Sequence, residues 1–204
     1  MKKIKNYYEL CLKNHKSGYR AVNWSSKSSQ ELRFQKICEV GDLKGRSIHD
    51  VGCGLGHLNK YLKKNKMGCS YIGTDISSKM IYVAKKNDPS DKKKFYCLNV
   101  LDLKKKPKKF KADFVVNSGI FTVKASYNQE IWWNFVTKMI KVMYKLSNKG
   151  IAFNMMTNNV DYKEKHLFYV SPLKVINFLE KSESKKIVFK QNYKLWENTY
   201  YVYK

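Results

Sequence analysis

The fold follows from residues 47 to 56, which read Ser47-Ile48-His49-Asp50-Val51-Gly52-Cys53-Gly54-Leu55-Gly56. An apolar run leads there into three glycines spaced two residues apart, and an amphipathic helical pattern follows over residues 57–64. Glycines between a strand and a helix permit a tight turn, let a ligand approach the backbone and leave the first helix amides free. The spacing GxGxG differs from the GxGxxG of dinucleotide-binding proteins. The pattern predicts a strand, a ligand-binding turn and a helix; we call residues 52–56 the glycine turn.

Short apolar runs keep alternating with amphipathic stretches after the glycine turn, which is typical of strands separated by helices in a mainly parallel sheet. The predicted strands cover residues 71–74, 95–98, 112–116 and 151–156. Four helices are predicted after the first strand. The first covers residues 57–64, and the second begins after Ser77 or Ser78 as N-cap. The third runs from Asn128 to a polar stop at Asn148-Lys149-Gly150, and the fourth starts at Ser171-Pro172. The closing runs, 186–189 and 199–203, have no crossover helix between them and predict an antiparallel hairpin.

An acidic residue ends the second predicted strand. Asp75 lies 23 positions after Gly52, near the offset of about 20 residues at which an acid meets a ribose in such folds. A carboxylate that accepts two ribose hydroxyls makes two charge-assisted hydrogen bonds, each worth about 1.5–3 kcal/mol. The order of strand, glycines, helix, strand and acid therefore favours a nucleoside ligand over a glycine-rich turn with a capping Asp.

On these residues the chain resembles the class I S-adenosylmethionine-dependent methyltransferases, specifically the small general methyltransferase-domain enzymes. The resemblance rests on residues 49–56, 71–77, 113–121 and 199–203. It implies an α/β fold in three layers, a doubly wound, seven-stranded and mainly parallel sheet with strand 7 antiparallel, and an N-terminal helical cap. It also implies S-adenosyl-L-methionine as cofactor and S-adenosyl-L-homocysteine as product.

The resemblance assigns roles around the cofactor. The glycine turn would hold the methionine part, Asp75 the ribose and Ile76 one side of the adenine, while residues 117–119 would lie where methyl donor and acceptor meet. Asp50, just before the turn, would meet the cofactor's ammonium directly or through water, and a bond to the backbone is the structural alternative. The expected cofactor-binding residues are Trp24, Arg33, Asp50, Gly52, Cys53, Gly54, Gly56, Asp75, Ile76, Asn99, Val100, Asn117, Ser118 and Gly119.

Two assignments leave alternatives open. Relatives usually carry Asp after the third strand, but here the aligned residue is Asn99, with Asp102 as the other candidate for the adenine amino group. Arg33, in the predicted cap, is the best candidate for the cofactor's carboxylate because a guanidinium pairs with it through two hydrogen bonds; the alternative is a surface helix Arg. Trp24 and Tyr19 would wall the site or pack in the cap core.

The sequence does not identify a general base. The weak catalytic candidates are His15, Tyr19, Asn117 and Ser118, and no pairing selects His57 or His166 either. A base is dispensable because methyl transfer is an in-line displacement from an activated sulfonium, and alignment can supply most of the rate. Of the adjacent Trp132 and Trp133, one is expected in the core and the other at the pocket edge.

The charge of the chain suggests competing partners. The 204 residues carry 41 Lys+Arg against 16 Asp+Glu, a net charge of +25, but 38 of the cations are Lys and only Arg20, Arg33 and Arg46 are Arg. Base recognition favours Arg, and the Lys92-Lys93-Lys94 run and the 104–111 connection are typical of solvated faces. We therefore expect a methyltransferase acting on a small molecule at O, N or S. An RNA (tRNA or rRNA) methyltransferase is the alternative, and a binding protein without turnover is the third choice.

The sequence also predicts the number of domains, the state of the cysteines and the location of the protein. No repeat or linker divides the chain, so residues 1–204 are expected to form one domain, with a helical cap at 1–45 and a cofactor-binding core at 46–204. The five cysteines are odd in number, form no CxxC pair and predict reduced thiols and no metal site. No apolar stretch approaches the roughly 20 residues of a membrane span. We expect a soluble, cytoplasmic monomer or homodimer without a membrane partner.

Overall fold

Helices and strands alternate along the chain in the computed structural model, which describes residues 1–103 and 107–204. The helices are α1 (Lys2–His15), α2 (Lys27–Cys38), α3 (His57–Lys64), α4 (Ser78–Asn87), α5 (Gln129–Leu146) and α6 (Pro172–Ser182). The strands are β1 (Ser47–Val51), β2 (Ser70–Asp75), β3 (Phe95–Cys97), β4 (Ala112–Asn117), β5 (Ser147–Thr157), β6 (Tyr169–Val170), β7 (Ile187–Lys190) and β8 (Glu197–Tyr203). Short 3-10 helices cover Tyr19–Val22, Pro89–Lys94, Val100–Asp102 and Pro107–Phe110.

All eight strands of the described residues belong to one sheet, in the order β3-β2-β1-β4-β5-β8-β7, with β6 beside β5. The pairs from β3 to β5 are parallel, whereas β8 runs antiparallel to both β5 and β7. The mainly parallel sheet with an antiparallel last strand is thus confirmed, and so is the closing hairpin. The seven-strand path matches the expectation, but β6 was not predicted, because two residues are too short to show a periodic pattern.

Helices cover both faces of this sheet and make three layers. Alternate residues of each strand point to opposite faces, so Val115 of β4 packs with α5 and α6 while its neighbours Phe114 and Val116 pack with α2, α3 and α4. The larger core includes Trp132, Ile140 and Met143 of α5, all buried, which confirms that the helical periodicity of this segment marks its core face.

The helical cap predicted at the N-terminus is present as α1, the 3-10 helix Tyr19–Val22 and α2. Ser26 caps α2 by accepting a hydrogen bond from the Ser29 amide at 3.0 Å, and the Ser29 hydroxyl accepts one from the Ser26 amide at 3.3 Å. The Leu12 side chain of α1 packs with Ala21, Leu55 and Met80. These contacts place the cap over the glycine turn and the start of α4.

The end of α5 differs from the prediction. The helix stops at Leu146, and Ser147 already begins β5 without a loop, so Gly150 is not a helix C-cap. Gly150 instead pairs with Tyr203 of β8, where a Cβ atom would lie 2.8 Å from the Val202 carbonyl oxygen. The glycine is needed for close strand approach, a contact between distant parts of the chain that local spacing does not reveal.

Two further predictions concern the connection 104–111 and membrane-spanning helices. The predicted solvated connection 104–111 lies partly outside the described residues; within it Phe110 is buried, and its carbonyl oxygen lies 2.8 Å from His49 Nδ1. Among the residues described by the structure, no helix has both the length and the apolar character needed to cross a membrane.

Candidate active site

A cavity of about 860 Å³, counting the space where it opens to solvent, lies at the carboxyl ends of β1, β2 and β4. Parallel strands bring these ends to one edge of the sheet, where α1 and the segment 19–24 cover them. Nine of the predicted cofactor-binding residues line this larger cavity: Trp24, Gly52, Gly54, Asp75, Ile76, Asn99, Val100, Ser118 and Gly119.

A smaller cavity of about 330 Å³, counting the space open to solvent, shares part of the glycine turn with it. Asp50 and Cys53 are the predicted residues that line this cavity and not the larger one, and Gln30 and His57 lie beside them in its wall. The two cavities share the walls Val22, Trp24, Gly52, Gly54 and Ser118. One elongated ligand could therefore reach from the larger cavity past the glycine turn into the smaller one.

The glycine turn requires its glycines. Gly52, Gly54 and Gly56 all have positive φ, at 78°, 51° and 75°. A Cβ on Gly52 would collide with the Ile120 side chain, and one on Gly56 would lie 2.8 Å from Phe95 Cζ. Gly56 thus serves close packing at the start of α3 and lines neither cavity, whereas Gly52 and Gly54 present their backbone to both.

Asp75 ends β2 in the larger cavity and is tied to the glycine turn. One carboxylate oxygen accepts from the Gly54 amide at 3.0 Å, and the other accepts from the Ser77 amide at 2.8 Å. Burial raises the pKa of this carboxyl group above its ordinary value, although these hydrogen bonds oppose the shift. Each oxygen keeps acceptor capacity, so the group can receive two further donors from a ligand.

Asp50 ends β1 in the smaller cavity. It accepts a hydrogen bond from the Tyr71 hydroxyl at 2.8 Å, and burial raises the pKa of Asp50 to about 7. His57 lies opposite, with its Nδ1 atom 3.0 Å from the Gln30 amide nitrogen, and burial lowers the pKa of His57 to about 4. The imidazole is therefore neutral at pH 7, with Nδ1 as acceptor and Nε2 as donor.

The turn after β4 carries two unpaired polar groups. The Asn117 side chain accepts from the Ile120 amide at 3.3 Å, but its Nδ2 atom has no partner among the described residues, and neither has the Ser118 hydroxyl. Asn117 is fully buried and lines neither cavity, whereas Ser118 lines both. Of this pair, Ser118 is the one placed to contact a ligand.

Arg33 lines neither cavity. Its Nε atom donates to both Glu197 oxygens, at 2.8 and 2.9 Å, and its guanidinium stacks on Trp24 with 4.0 Å between its carbon and the ring centroid. Nη1 donates to the Ser29 carbonyl at 2.9 Å. The structure thus gives Arg33 a protein carboxylate as partner in place of the predicted cofactor carboxylate, and it is buried rather than on the surface.

The remaining candidate residues differ in whether they line a cavity. Asn99 lines the larger cavity while Asp102 does not; the Asn99 amide donates to Asp102 at 3.0 Å. His15, Tyr19 and His166 line neither cavity.

Of the tryptophan pair, Trp132 is in the core and donates to the Phe121 carbonyl at 3.0 Å. Trp133 is not at the pocket edge, because it packs against Phe168 and Phe178. Phe135 and Met139 take the predicted pocket position, one turn apart on α5.

Several cavity residues had no sequence prediction. Met1, Ile4, Lys5 and Tyr8 of the N-terminal segment cover the larger cavity, and its other unpredicted wall residues are Val22, Val51, Thr74, Ser77, Met80, Leu98, Ile120, Phe135 and Met139. The spacing of four between Ile4 and Tyr8, and between Phe135 and Met139, signals a shared helix face. That spacing alone does not distinguish a face that packs in the core from one that lines a cavity.

Comparison with known proteins agrees with this geometry. Residues 49–132 match a family model described as a methyltransferase domain. A Mycobacterium tuberculosis protein named as a methyltransferase is 28% identical over 161 residues, 78% of this chain and 93% of that protein. The malonyl-[acyl-carrier protein] O-methyltransferase of Priestia megaterium is 27% identical over 157 residues, 76% of this chain and 53% of that protein. Residues 49–132 therefore carry a methyltransferase domain, consistent with the class I S-adenosylmethionine-dependent enzymes.

A solved methyltransferase shares the fold. Magnesium protoporphyrin IX methyltransferase from Synechocystis, a structure with bound S-adenosylmethionine, superposes with a TM-score of 0.59 at 16% identity, over 86% of this chain and 79% of that one. The predicted family, enzyme class and cofactor are confirmed. The roles of individual residues remain predictions.

The residues present fit this cofactor. Gly52 and Gly119 line the cavity, and neither can carry a side chain, because a Cβ there would collide with Ile120 or Trp24, two of the cavity walls. The Ser118 hydroxyl offers an unpaired polar group at the junction of the cavities, and Asp75 offers a carboxylate to hydroxyl donors. Acidic groups on both sides of the glycine turn also suit a ligand with a sulfonium and an ammonium.

Proposed function

We propose that this methyltransferase transfers a methyl group to an oxygen, nitrogen or sulfur atom of a small molecule. The enclosure of the larger cavity is the observation that carries this proposal. α1 and the segment 19–24 cover the cavity, and its walls are mainly apolar. A small acceptor fits beneath such a cover, whereas a macromolecule would have to displace it. One neighbour supports the proposal by name, since it is named for the small molecule magnesium protoporphyrin IX.

We place the cofactor along both cavities. Asp75 accepts the ribose hydroxyls, and Ile76, Asn99 and Val100 surround the adenine. The methionine part passes the glycine turn into the smaller cavity, where Asp50 faces its ammonium. These roles are supported by the residues that line each of the two cavities.

When bound, the cofactor supplies an activated methyl group that the acceptor takes by in-line displacement. The chain's own part is alignment and exclusion of water: Trp24, Ile120 and Phe135 wall the larger cavity, and the Ser118 hydroxyl can bond to either ligand. Burial raises the pKa of Tyr8, so its phenol stays protonated at neutral pH and can donate a hydrogen bond without serving as a base. Alignment, rather than proton transfer, is the proposed source of rate.

Replacing Asp75 tests the cofactor site. Asp75→Ala should weaken binding of S-adenosylhomocysteine by about 100-fold or more, because two charge-assisted hydrogen bonds of about 1.5–3 kcal/mol each are lost. Isothermal titration calorimetry measures the effect. The matched control is Asp42→Asn, since Asp42 is exposed and bonds only the Lys44 amide among the described residues, at 3.0 Å. Equal affinity of wild type and Asp75→Ala would remove the ribose assignment.

We further propose that residues 1–45 act as a cap on the core 46–204 within one domain, and that the protein works in the cytoplasm. The cap proposal is supported by the cavity-lining residues of α1. The location is supported by the five cysteines, Cys11, Cys38, Cys53, Cys69 and Cys97, which are all free thiols.

A further inference from the structure

A buried carboxylate outside both cavities has no role in the proposed reaction. Glu197 begins β8, and its side chain is fully buried against Arg33 of α2, whose side chain is 10% exposed. The two residues lie 164 positions apart in sequence. Their ion pair therefore joins the cap directly to the antiparallel strand of the sheet.

Stability alone is a weak explanation for this ion pair. Removing two charges from water is costly, and well-packed apolar residues at the same positions are often as stable or more stable. A buried pair with several defined hydrogen bonds does, however, fix the groups around it. Further contacts lead from Arg33 and Glu197 to the walls of the cavities.

Such contacts start from both members of the pair and end at the same turn. From Glu197, one oxygen accepts from the Asn154 amide nitrogen, and the Asn154 carbonyl oxygen accepts from the Gly119 amide at 3.1 Å. From Arg33, the guanidinium lies on the Trp24 ring, and that ring packs so tightly on Gly119 that a Cβ there would be 2.5 Å from Trp24 Cζ2. The contacts therefore form a closed ring, whose members are Arg33, Glu197, Asn154, Gly119 and Trp24.

This ring borders the place where the two cavities meet. Trp24 lines both cavities, Gly119 lines the larger one, and Ser118, next in the chain, lines both. Gly119 has a φ of 100°, so its peptide orientation is unusual and needs outside support. The hydrogen bond from Asn154 and the contact with Trp24 provide that support.

We propose that Arg33 and Glu197 are positioning residues of the methyl-transfer site. Arg33 holds the Trp24 wall, and Glu197 holds Asn154, so together they set the orientation of the Ser118–Gly119 peptide. This inference rests on the proposed placement of the cofactor in the two cavities.

The test is the double variant Arg33→Met/Glu197→Met, which replaces the pair with apolar side chains and leaves no buried charge unpaired. Its circular dichroism spectrum should match the wild type. Its affinity for S-adenosylhomocysteine, measured by calorimetry, should fall about tenfold, the effect of roughly one lost hydrogen bond. In protein labelled with ¹⁵N-glycine, exchange of the Gly119 amide should be about tenfold faster, because its acceptor Asn154 loses its anchor.

The matched control is Glu39→Gln/Lys190→Met. That pair also joins the cap to the C-terminal hairpin, with 2.8 Å between Lys190 Nζ and a Glu39 oxygen, but Glu39 and Lys190 line neither cavity. It should change neither the affinity nor the Gly119 exchange. Arg33→Lys is the milder variant if the double variant does not fold. It keeps the charge but loses the planar contact with Trp24, so affinity should fall a few-fold while Gly119 stays protected through Asn154.

The outcomes separate this inference from the proposed function. If the wild type does not bind S-adenosylhomocysteine, the cofactor placement fails. If the wild type binds and the double variant, or Arg33→Lys in its place, binds equally well, the pair is only structural and the inference is overturned. Unchanged Gly119 exchange in the double variant would overturn the Glu197 part in the same way.

Discussion

Among single residues, the carboxyl groups beside the glycine turn depend most on burial. Asp50 is 3% exposed and has one hydrogen-bond donor, Tyr71, among the described residues, so the ionised form is poorly solvated and its pKa rises to about 7. Asp75 nearby raises it further, through repulsion between two negative charges. The folded protein therefore binds a proton at Asp50 that the unfolded chain releases at a lower pH.

This difference makes stability depend on pH. Below about pH 4, Asp50 is protonated in both states, whereas between about pH 4 and pH 7 only the folded state keeps the proton. The wild type should lose free energy of unfolding as the pH rises through this window and lose no more above it. Asp50→Asn keeps an acceptor for Tyr71 and does not titrate, so its stability relative to the wild type should increase from pH 4 to pH 7. Urea unfolding across this range measures the difference.

Asp113→Asn is the control of opposite sign. Hydrogen bonds from the Ser47 amide and hydroxyl, at 2.9 and 3.0 Å, lower the pKa of Asp113. The ionised Asp113 therefore stabilises the wild type above the carboxyl group's ordinary pKa, and this advantage is lost as the pH falls. A flat difference between wild type and Asp50→Asn would show that Asp50 is already ionised in the folded protein.

At the level of helices and strands, the junction of α5 and β5 determines how closely β8 approaches β5. The Ser147 hydroxyl donates to the Tyr144 carbonyl at 2.8 Å, and the chain enters β5 immediately after the helix. Three residues later, Gly150 lies between β4 and β8, opposite Phe114 on one side and Tyr203 on the other. A side chain there would meet the backbone of β8, which cannot move aside without breaking the strand pairing.

Gly150→Ala tests this contact, because the sign of the change in the free energy of unfolding depends on whether the new Cβ clashes. The φ of Gly150 is not positive, so without a clash alanine should stabilise the protein by about 0.4–1 kcal/mol. With the Val202 carbonyl oxygen 2.8 Å from the new Cβ, we expect destabilisation by about 1–3 kcal/mol. Urea unfolding distinguishes the two. The control is Gly45→Ala, which has nothing within 4 Å and a φ of 69°, and so reports conformational strain alone.

For the molecule as a whole, the positive charge lies mostly away from the site. Lys5 is the only lysine that lines the larger cavity within the described residues, and none lines the smaller one. Of the three arginines, Arg33 is buried in its ion pair and Arg20 packs on Tyr19. The basic surface is thus a lysine coating, which does not by itself favour a nucleic-acid substrate.

Methyl labelling distinguishes the two substrate classes. When cell extract is incubated with the enzyme and methyl-labelled S-adenosylmethionine, we expect label in the small-molecule fraction and none in RNA. The Asp75→Ala variant is the control for background incorporation. Label in RNA, together with tRNA binding that weakens steeply with salt, would instead favour the RNA methyltransferase; on duplex DNA each neutralised phosphate contributes about −0.9 to that slope.

The sequence by itself determined the parts of this protein that depend on neighbouring residues. The glycine turn, the strands around it, the N-cap at Ser77 (one of the two predicted) and the start of α5 next to Asn128 occur where their local patterns predict them, because strand and helix periods and turn chemistry act over a few residues. Asp75 lies at the predicted strand end beside the cavity for the same reason. The resemblance carried by residues 49–56, 71–77, 113–121 and 199–203 implied the family and its cofactor.

The tertiary structure alone decided the partners of residues that are distant in sequence. Arg33 has a suitable charge for a cofactor carboxylate, yet Glu197, 164 positions away, takes its guanidinium. Gly150 resembles a helix stop but serves a strand contact, and Ile4 and Tyr8 of α1 cover a cavity formed by β1, β2 and β4. Spacing along a chain reports a residue's face and conformation, whereas the group that it meets across the core depends on how all the elements pack together.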